Sequence, residues 1–169
     1  MIPDVSGDRS TSLRADLLRF VGFRERTVRE LVTYLRRRGH GARFIEVAVA
    51  EAREQGFVDD RRFAEVFLRD RRRLRPVSRR AVLNDLREHG VEIAIAQEAL
   101  DLSCPPWDDE LMAWEAVSRR WERWHPEVRA QKAAGFLQRR GFDRATASTV
   151  LARLSGGRSG IDTGSVEDQ

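Results

Sequence analysis

The chain has 169 residues, 41% hydrophobic and 34% charged, with a formal net charge of +4. That suffices for a real core beneath a charge-rich surface, while no stretch approaches the roughly 20 apolar residues of a membrane span or the apolar core of a secretory signal. Cys104 is the single cysteine, so an internal disulfide and a zinc finger are both excluded, and the expected compartment is the cytoplasm.

Residues 1–10, with Pro3, Gly7 and several Ser/Asp, are expected to form a flexible N-terminus. From Thr11 the pattern is helical. Leu13, Leu17, Leu18 and Val21 lead to a second helix opening at Thr27, with Leu31, Tyr34 and Leu35 on one face. Thr27 and Glu30 form a capping-box pattern. A third element spans Phe44 to Gln55. Its Ile45, Val47 and Val49 alternate as in a strand, but its length and Ala/Glu content favour helix. Asp59-Asp60 then offers an N-cap before Phe63, Val66, Phe67 and Leu74, with Phe63, Phe67 and Leu74 as the expected buried side. The same pair could bind a cation, though capping is the simpler role. Pro76 breaks the chain, and Ser78 caps a helix holding Val82, Leu83 and Leu86. A short helix follows with Ile93, Ala96, Ala99 and Leu100. Cys104-Pro105-Pro106 is a stiff joint. The last helices are expected over Asp108–Trp124, Glu127–Arg140 and Asp143–Leu154. Trp114, Trp121 and Trp124 would share one helical face, as core or as an aromatic platform for bases. Residues 155–169, glycine-rich and apolar-poor, are expected to be a disordered tail.

Three glycines, Gly39, Gly90 and Gly141, recur at intervals of 51 residues, each closing a Leu-x-x-x-Gly phrase. Thr27 and Ser78 both stand 12 residues before their glycine. Such a period is the mark of tandem units, and a glycine after a basic last turn is the mark of a helix end. The expected fold is all-α: an elongated, curved array of three three-helix repeats covering 11–56, 57–103 and 108–154. An array of this kind suits a long partner better than a small substrate.

Catalytic patterns are absent: there is no Gly-rich phosphate loop, no Gly-x-Ser-x-Gly and no His-Glu-x-x-His. His40, His89 and His125 are scattered. The expectation is a binding protein with no enzymatic activity, no cofactor and no metal. The basic residues carry more information. Only Lys132 among the 31 is lysine. Arginine suits planar contact with phosphate and carboxylate, although such a bias also arises from the base composition of a gene. Segment 61–80 holds nine arginines against Glu65 and Asp70, a net of +7. The middle segment of each repeat (27–38, 78–89, 127–140) is basic, and the last segments (43–55, 91–102, 142–154) are together acidic. In a helix-turn-helix reader the last helix normally enters the major groove, so this distribution argues for a protein lying along a polyanion or an acidic surface. Candidate contacts are Arg36, Arg37, Arg38, Arg62, Arg69, Arg72, Arg73, Arg79, Arg80, Arg139 and Arg140.

The stretch Gly56-Phe57-Val58-Asp59-Asp60-Arg61-Arg62-Phe63-Ala64 resembles the RecX family of RecA regulators. Leu86-x-x-x-Gly90-Val91 with Ile95 and Ala99-Leu100, and Arg29-Glu30-Leu31 through Leu35-x-x-x-Gly39, fit the same pattern. The resemblance covers residues 13–102 well and 108–154 in outline. Leu74-Arg75-Pro76-Val77 departs from it, where family members tend to carry a glycine and a basic residue. The resemblance implies that Gly56, Phe57, Asp59, Asp60, Phe63 and Ala64 are structural. It also implies a monomer that binds in the groove of a RecA filament on single-stranded DNA, inhibits its recombinase, ATPase and coprotease activities, and so modulates recombinational repair and the SOS response. DNA itself, single-stranded and to some degree double-stranded, would be a weak and non-specific partner. The alternative is a freestanding, non-sequence-specific DNA-binding protein that acts without RecA.

Overall fold

The computed structural model describes residues 5–156. Within them the chain forms nine helices and no strand: α1 (Val5–Val21), α2 (Val28–Arg37), α3 (Ala42–Glu54), α4 (Asp60–Leu74), α5 (Arg79–His89), α6 (Ile93–Asp101), α7 (Asp109–Trp121), α8 (Arg129–Arg139) and α9 (Arg144–Gly156). The alternating Ile45-Val47-Val49 stretch is therefore helical, with Ile45 and Val49 buried and Val47 exposed. Residues 1–4 and nearly all of the 155–169 tail lie outside the described residues, and α1 starts ahead of Thr11.

The described residues divide into two compact units, one of 5–70 and 82–106, the other of 71–81 and 107–156. In the first, Leu13 and Leu17 of α1, Leu31 and Leu35 of α2, and Ile45 and Ala52 of α3 share a core. In the second, α7 packs against both α8 and α9; Met112, Val117, Leu137 and Phe142 are buried there.

The three closing glycines end α2, α5 and α8 in the same way. Their φ values are +86° (Gly39), +91° (Gly90) and +85° (Gly141). The residue after each glycine donates its N–H to the leucine carbonyl five back: His40 to Leu35, Val91 to Leu86, Phe142 to Leu137. Each glycine N–H bonds three back. This is the Schellman arrangement, which satisfies the orphan carbonyls of a helix end.

Two of these ends receive another helix. In the first unit, Thr27 accepts from the Glu30 N–H (3.1 Å) and donates its hydroxyl to the carbonyl of His89 (2.7 Å), beside Gly90. Asp60 accepts from the Val28 N–H at 2.9 Å, capping α2 from another helix. In the second unit, Ser78 caps α5 by accepting from the Ala81 N–H at 3.1 Å, and its own N–H bonds the Arg140 carbonyl beside Gly141. Asp109 accepts from the Arg79 N–H at 2.6 Å. The approach is tight. A Cβ on Gly90 would lie 2.5 Å from Arg29 Cβ, and one on Gly141 would lie 2.8 Å from Ala81 Cβ. A Cβ on Gly39 meets nothing within 4 Å.

Two expectations need correction. Leu74 is 69% exposed, and Leu68 is buried in α4 alongside Phe63 and Ala64. Leu74 is the last residue of α4, where the apolar stripe outruns the elements that cover it. Trp124 does not share a helical face with Trp114 and Trp121, because α7 ends at Trp121 with Glu122 as its C-cap. Pro126 disfavours helical geometry at His125, so the chain turns before α8. Trp107 and Trp121 are buried, and Trp114 lies under the Arg153 guanidinium, 4.3 Å from the ring centre.

The end of α2 is also tied to α1. Buried Asp16 accepts from Arg38 Nε (3.1 Å) and Nη2 (2.9 Å) and lies 2.9 Å from His40 Nε2. These hydrogen bonds from Arg38 and His40 outweigh burial and hold the Asp16 carboxyl below its ordinary range.

Two predictions follow from these joints. Left-handed φ costs a non-glycine residue about 1–2 kcal/mol, and overpacking typically adds about 1–3 kcal/mol. Gly141→Ala should therefore lower the melting temperature clearly more than Gly39→Ala; equal losses would mean the joint is not close-packed. Asp16 has a lowered folded-state pKa, so its contribution is present above the unfolded value of about 4 and is lost as pH falls through the folded one. Asp16→Asn should melt below wild type at pH 7, with the gap closing as pH drops below about 4. A gap that stays constant in acid would contradict the ion pair.

Candidate nucleic-acid interface

The residues of the 56–64 stretch make mostly local contacts within the first unit. Gly56 has φ +70°. Asp59 caps α4 by accepting from the Arg61 and Arg62 N–H groups at 2.8 and 3.1 Å, and Asp60 caps α2. Phe63 is buried against Phe67 and His89, with ring centres 5.8 and 5.3 Å away. Ala64 is fully buried. Phe57 is partly exposed and lines an apolar groove with Leu17, Leu18 of α1 and Phe44, Val47 of α3.

The candidate arginines fall into two kinds. Several in the first unit are matched by acids. Arg38 is held by Asp16. Arg62 Nε bonds Glu25 at 2.9 Å, and its Nη2 bonds the Gly56 carbonyl at 2.9 Å. Arg61, which the sequence did not single out, makes a two-pronged pair with Glu98 at 2.7 and 2.6 Å. Arg36 and Arg37 stand exposed in the last turn of α2, and Arg69 is exposed on α4.

The second unit is different. Arg73 and Arg140 meet Arg119, Arg120 and Arg123 around a cleft of about 230 Å³, with Glu115 as the one acid lining it. Leu74, Pro76 and Ala116 complete the wall. Arg140 is half-buried and fixed. Its Nη1 donates to the Pro76 carbonyl at 2.8 Å, and its guanidinium lies 4.5 Å from the centre of the Phe136 ring. Arg120 lies over the same ring at 5.1 Å. Burial, followed by the nearby charges of Arg75, Arg120 and Arg71, pushes the Arg140 pKa down. Phe136 also meets Trp124 edge-on at 6.0 Å.

The other candidates of this unit lie apart from the cleft lining. Arg72 packs over the Trp107 ring at 5.2 Å. Arg79 gives its backbone N–H to Asp109, and burial lifts that carboxyl above its ordinary range. Arg80 and Arg139 are exposed. Sequence reasoning thus found two members of the cleft and missed three. Arg119, Arg120 and Arg123 stand in and just after the last turn of α7, a pattern that reads as ordinary dipole complement. Only the fold brings them against Arg140.

Comparisons with known proteins agree on one family. A family model described as "RecX, second three-helix domain" matches residues 59–100. The regulatory protein RecX of Halorhodospira halophila is 35% identical over 153 residues, covering 87% of this chain and 92% of that protein. The regulatory protein RecX of Thermobifida fusca is 36% identical over 141 residues, covering 82% and 76%. Among solved structures, that of RecX from Lactobacillus salivarius matches with a TM-score of 0.70 at 19% identity, covering 88% of this chain and 98% of that one. At that identity the match bears on the fold alone.

Proposed function

This chain belongs to the RecX family, and from that premise we propose that it is a non-enzymatic regulator that binds the filament RecA forms on single-stranded DNA. Bound there, it inhibits the recombinase, ATPase and coprotease activities of RecA. It thereby modulates recombinational DNA repair and the SOS response, as a monomer in the cytoplasm. The family supports a partner related to RecA. The observation that carries the DNA half of the reading is the arginine cleft of the second unit, where five arginines face a single acid. Arginines gathered without matching acids are suited to a polyanion.

The test is single-stranded-DNA-dependent ATP hydrolysis by RecA with this protein at a substoichiometric ratio. The rate should fall. An unchanged rate and filament length, together with DNA binding by the protein alone, would favour a freestanding DNA-binding protein. Replacing Arg73, Arg119 and Arg123 together by Glu should leave the fold intact, since surface substitutions are usually worth about 0.5 kcal/mol or less each. The same variant should lose inhibition. The set omits Arg72, whose packing on Trp107 would mix structure with charge. A triple variant that melts normally and still inhibits would contradict the assignment.

DNA binding by the protein alone should be weak, indifferent to sequence and steeply salt-dependent. If about five phosphates are neutralised, log K should fall against log salt with a slope of about −3 to −5. A tight, salt-insensitive complex with one particular duplex would overturn this reading.

A further inference from the structure

We propose that the cleft of the second unit is a dedicated phosphate seat for one phosphodiester group of a nucleic-acid backbone, with Arg140 as its half-buried floor and Arg73, Arg119, Arg120 and Arg123 around it. This deepens the functional reading above and rests on it for its biological meaning, though not for its chemistry.

The first support is charge. Most protein surfaces interleave the two signs, and arginines of the first unit do so here through Asp16, Glu25 and Glu98. The cleft instead gathers five guanidinium groups against Glu115. Like charges held together destabilise a fold unless something offsets them. An anion between them is the direct offset.

The second support is rigidity. Arg140 is not a loose surface side chain. Pro76 holds one of its N–H groups, and Phe136 supports its plane. A guanidinium has five N–H donors in a fixed fork, so one bond to Pro76 leaves most of that fork for a ligand. Arg120, which lines the same cleft, also rests on that phenyl ring, so the ring restrains a second guanidinium. Planar forks held in place match phosphate oxygens with little further loss of freedom.

The third support is size. Pockets for drug-sized ligands run from about 300 to 1,000 Å³. At about 230 Å³ the cleft falls below that range, and its apolar wall of Leu74 and Ala116 offers no edge to read a base. A single oxyanion group fits this description better than a whole nucleotide. Partial burial, and after it the like charges of Arg75, Arg120 and Arg71, disfavour the Arg140 cation, which an anion in the cleft would relieve.

The experiment titrates the full chain with three probes: inorganic phosphate, a twelve-residue oligothymidylate, and a glutamate-rich peptide of equal charge. Side-chain Nε–H resonances of arginine report the site, and calorimetry reports affinity. Inorganic phosphate should shift the Arg140 and Arg120 resonances first. Arg123→Gln should weaken oligothymidylate binding about tenfold, as expected for one lost charged hydrogen bond. Arg61→Gln, at a side chain already paired with Glu98, should weaken it less than about twofold. Arg140→Lys should behave like Arg140→Gln, because the fork and not the charge alone is required. Should the Arg140 variants unfold through loss of the Pro76 and Phe136 contacts, Arg123→Gln carries the test, since Arg123 makes neither. Equal effects of Arg61→Gln and Arg123→Gln, or tighter binding of the peptide than of the oligothymidylate, would overturn the proposal. A wild-type chain that shows the expected pattern yet leaves RecA's ATP hydrolysis unchanged would reject the filament reading and keep this one. Inhibition of RecA that persists undiminished in Arg123→Gln, with no phosphate shift at Arg140, would reject this one and keep the other.

Discussion

The structure depends on one recurrent joint, in which the first turn of a middle helix is pressed against the glycine turn that ends the next. Thr27 meets the end of α5 in the first unit, and Ser78 meets the end of α8 in the second. Each joint joins groups that a helix leaves unsatisfied, N–H groups at one end and carbonyls at the other. The partial charges of the two ends are also of opposite sign. The glycines serve twice here: their left-handed φ turns the chain, and the missing Cβ admits the neighbour at Gly90 and Gly141. A hydroxyl at each cap, fully or almost fully buried, and an aspartate supplied from the start of another helix complete the same design in both units.

Because the caps consume Asp59, Asp60, Asp108 and Asp109, much of the acidic side-chain inventory near the basic helices is committed to backbone N–H groups. Other acids of the first unit are committed to ion pairs, as Asp16 is to Arg38. The second unit does not balance its arginines in this way at the cleft. The positive charge there is therefore a product of how the fold spends its carboxylates as much as of how many arginines the chain contains. A count along the sequence, such as the net of +7 over 61–80, blurs this difference, since Arg61 and Arg62 within it are paired.

Much of the fold was legible. Gly39, Gly90 and Gly141 announce their helix ends because only glycine relieves a left-handed turn at no cost, and Thr27 and Ser78 announce helix starts because the hydroxyl competes for backbone N–H groups. These signals are local. Trp124 leaves the face of Trp114 and Trp121 for a local reason, since α7 ends at Trp121 ahead of Pro126; the exposure of Leu74 instead depends on which elements, distant in the chain, cover the end of α4. The site was half legible for the same reason. Arg73 and Arg140 stand in conspicuous basic runs, whereas Arg119, Arg120 and Arg123 gain meaning only when α7 comes to lie beside Arg140. Conversely, Arg38 and Arg62 looked available in the sequence and are engaged with Asp16 and Glu25.

The central claim is that the uncompensated arginines of the second unit, and not the paired ones of the first, meet the polyanion within the filament. Backbone hydrogen exchange of the full chain, free and bound to RecA filaments on single-stranded DNA, tests this most directly. The account predicts that binding slows exchange in residues 71–76, 115–123 and 136–141, which surround the cleft, while the Arg61–Glu98 neighbourhood is unchanged. Protection confined to residues 29–43 or 61–69, with the cleft segments exchanging as in the free protein, would contradict it.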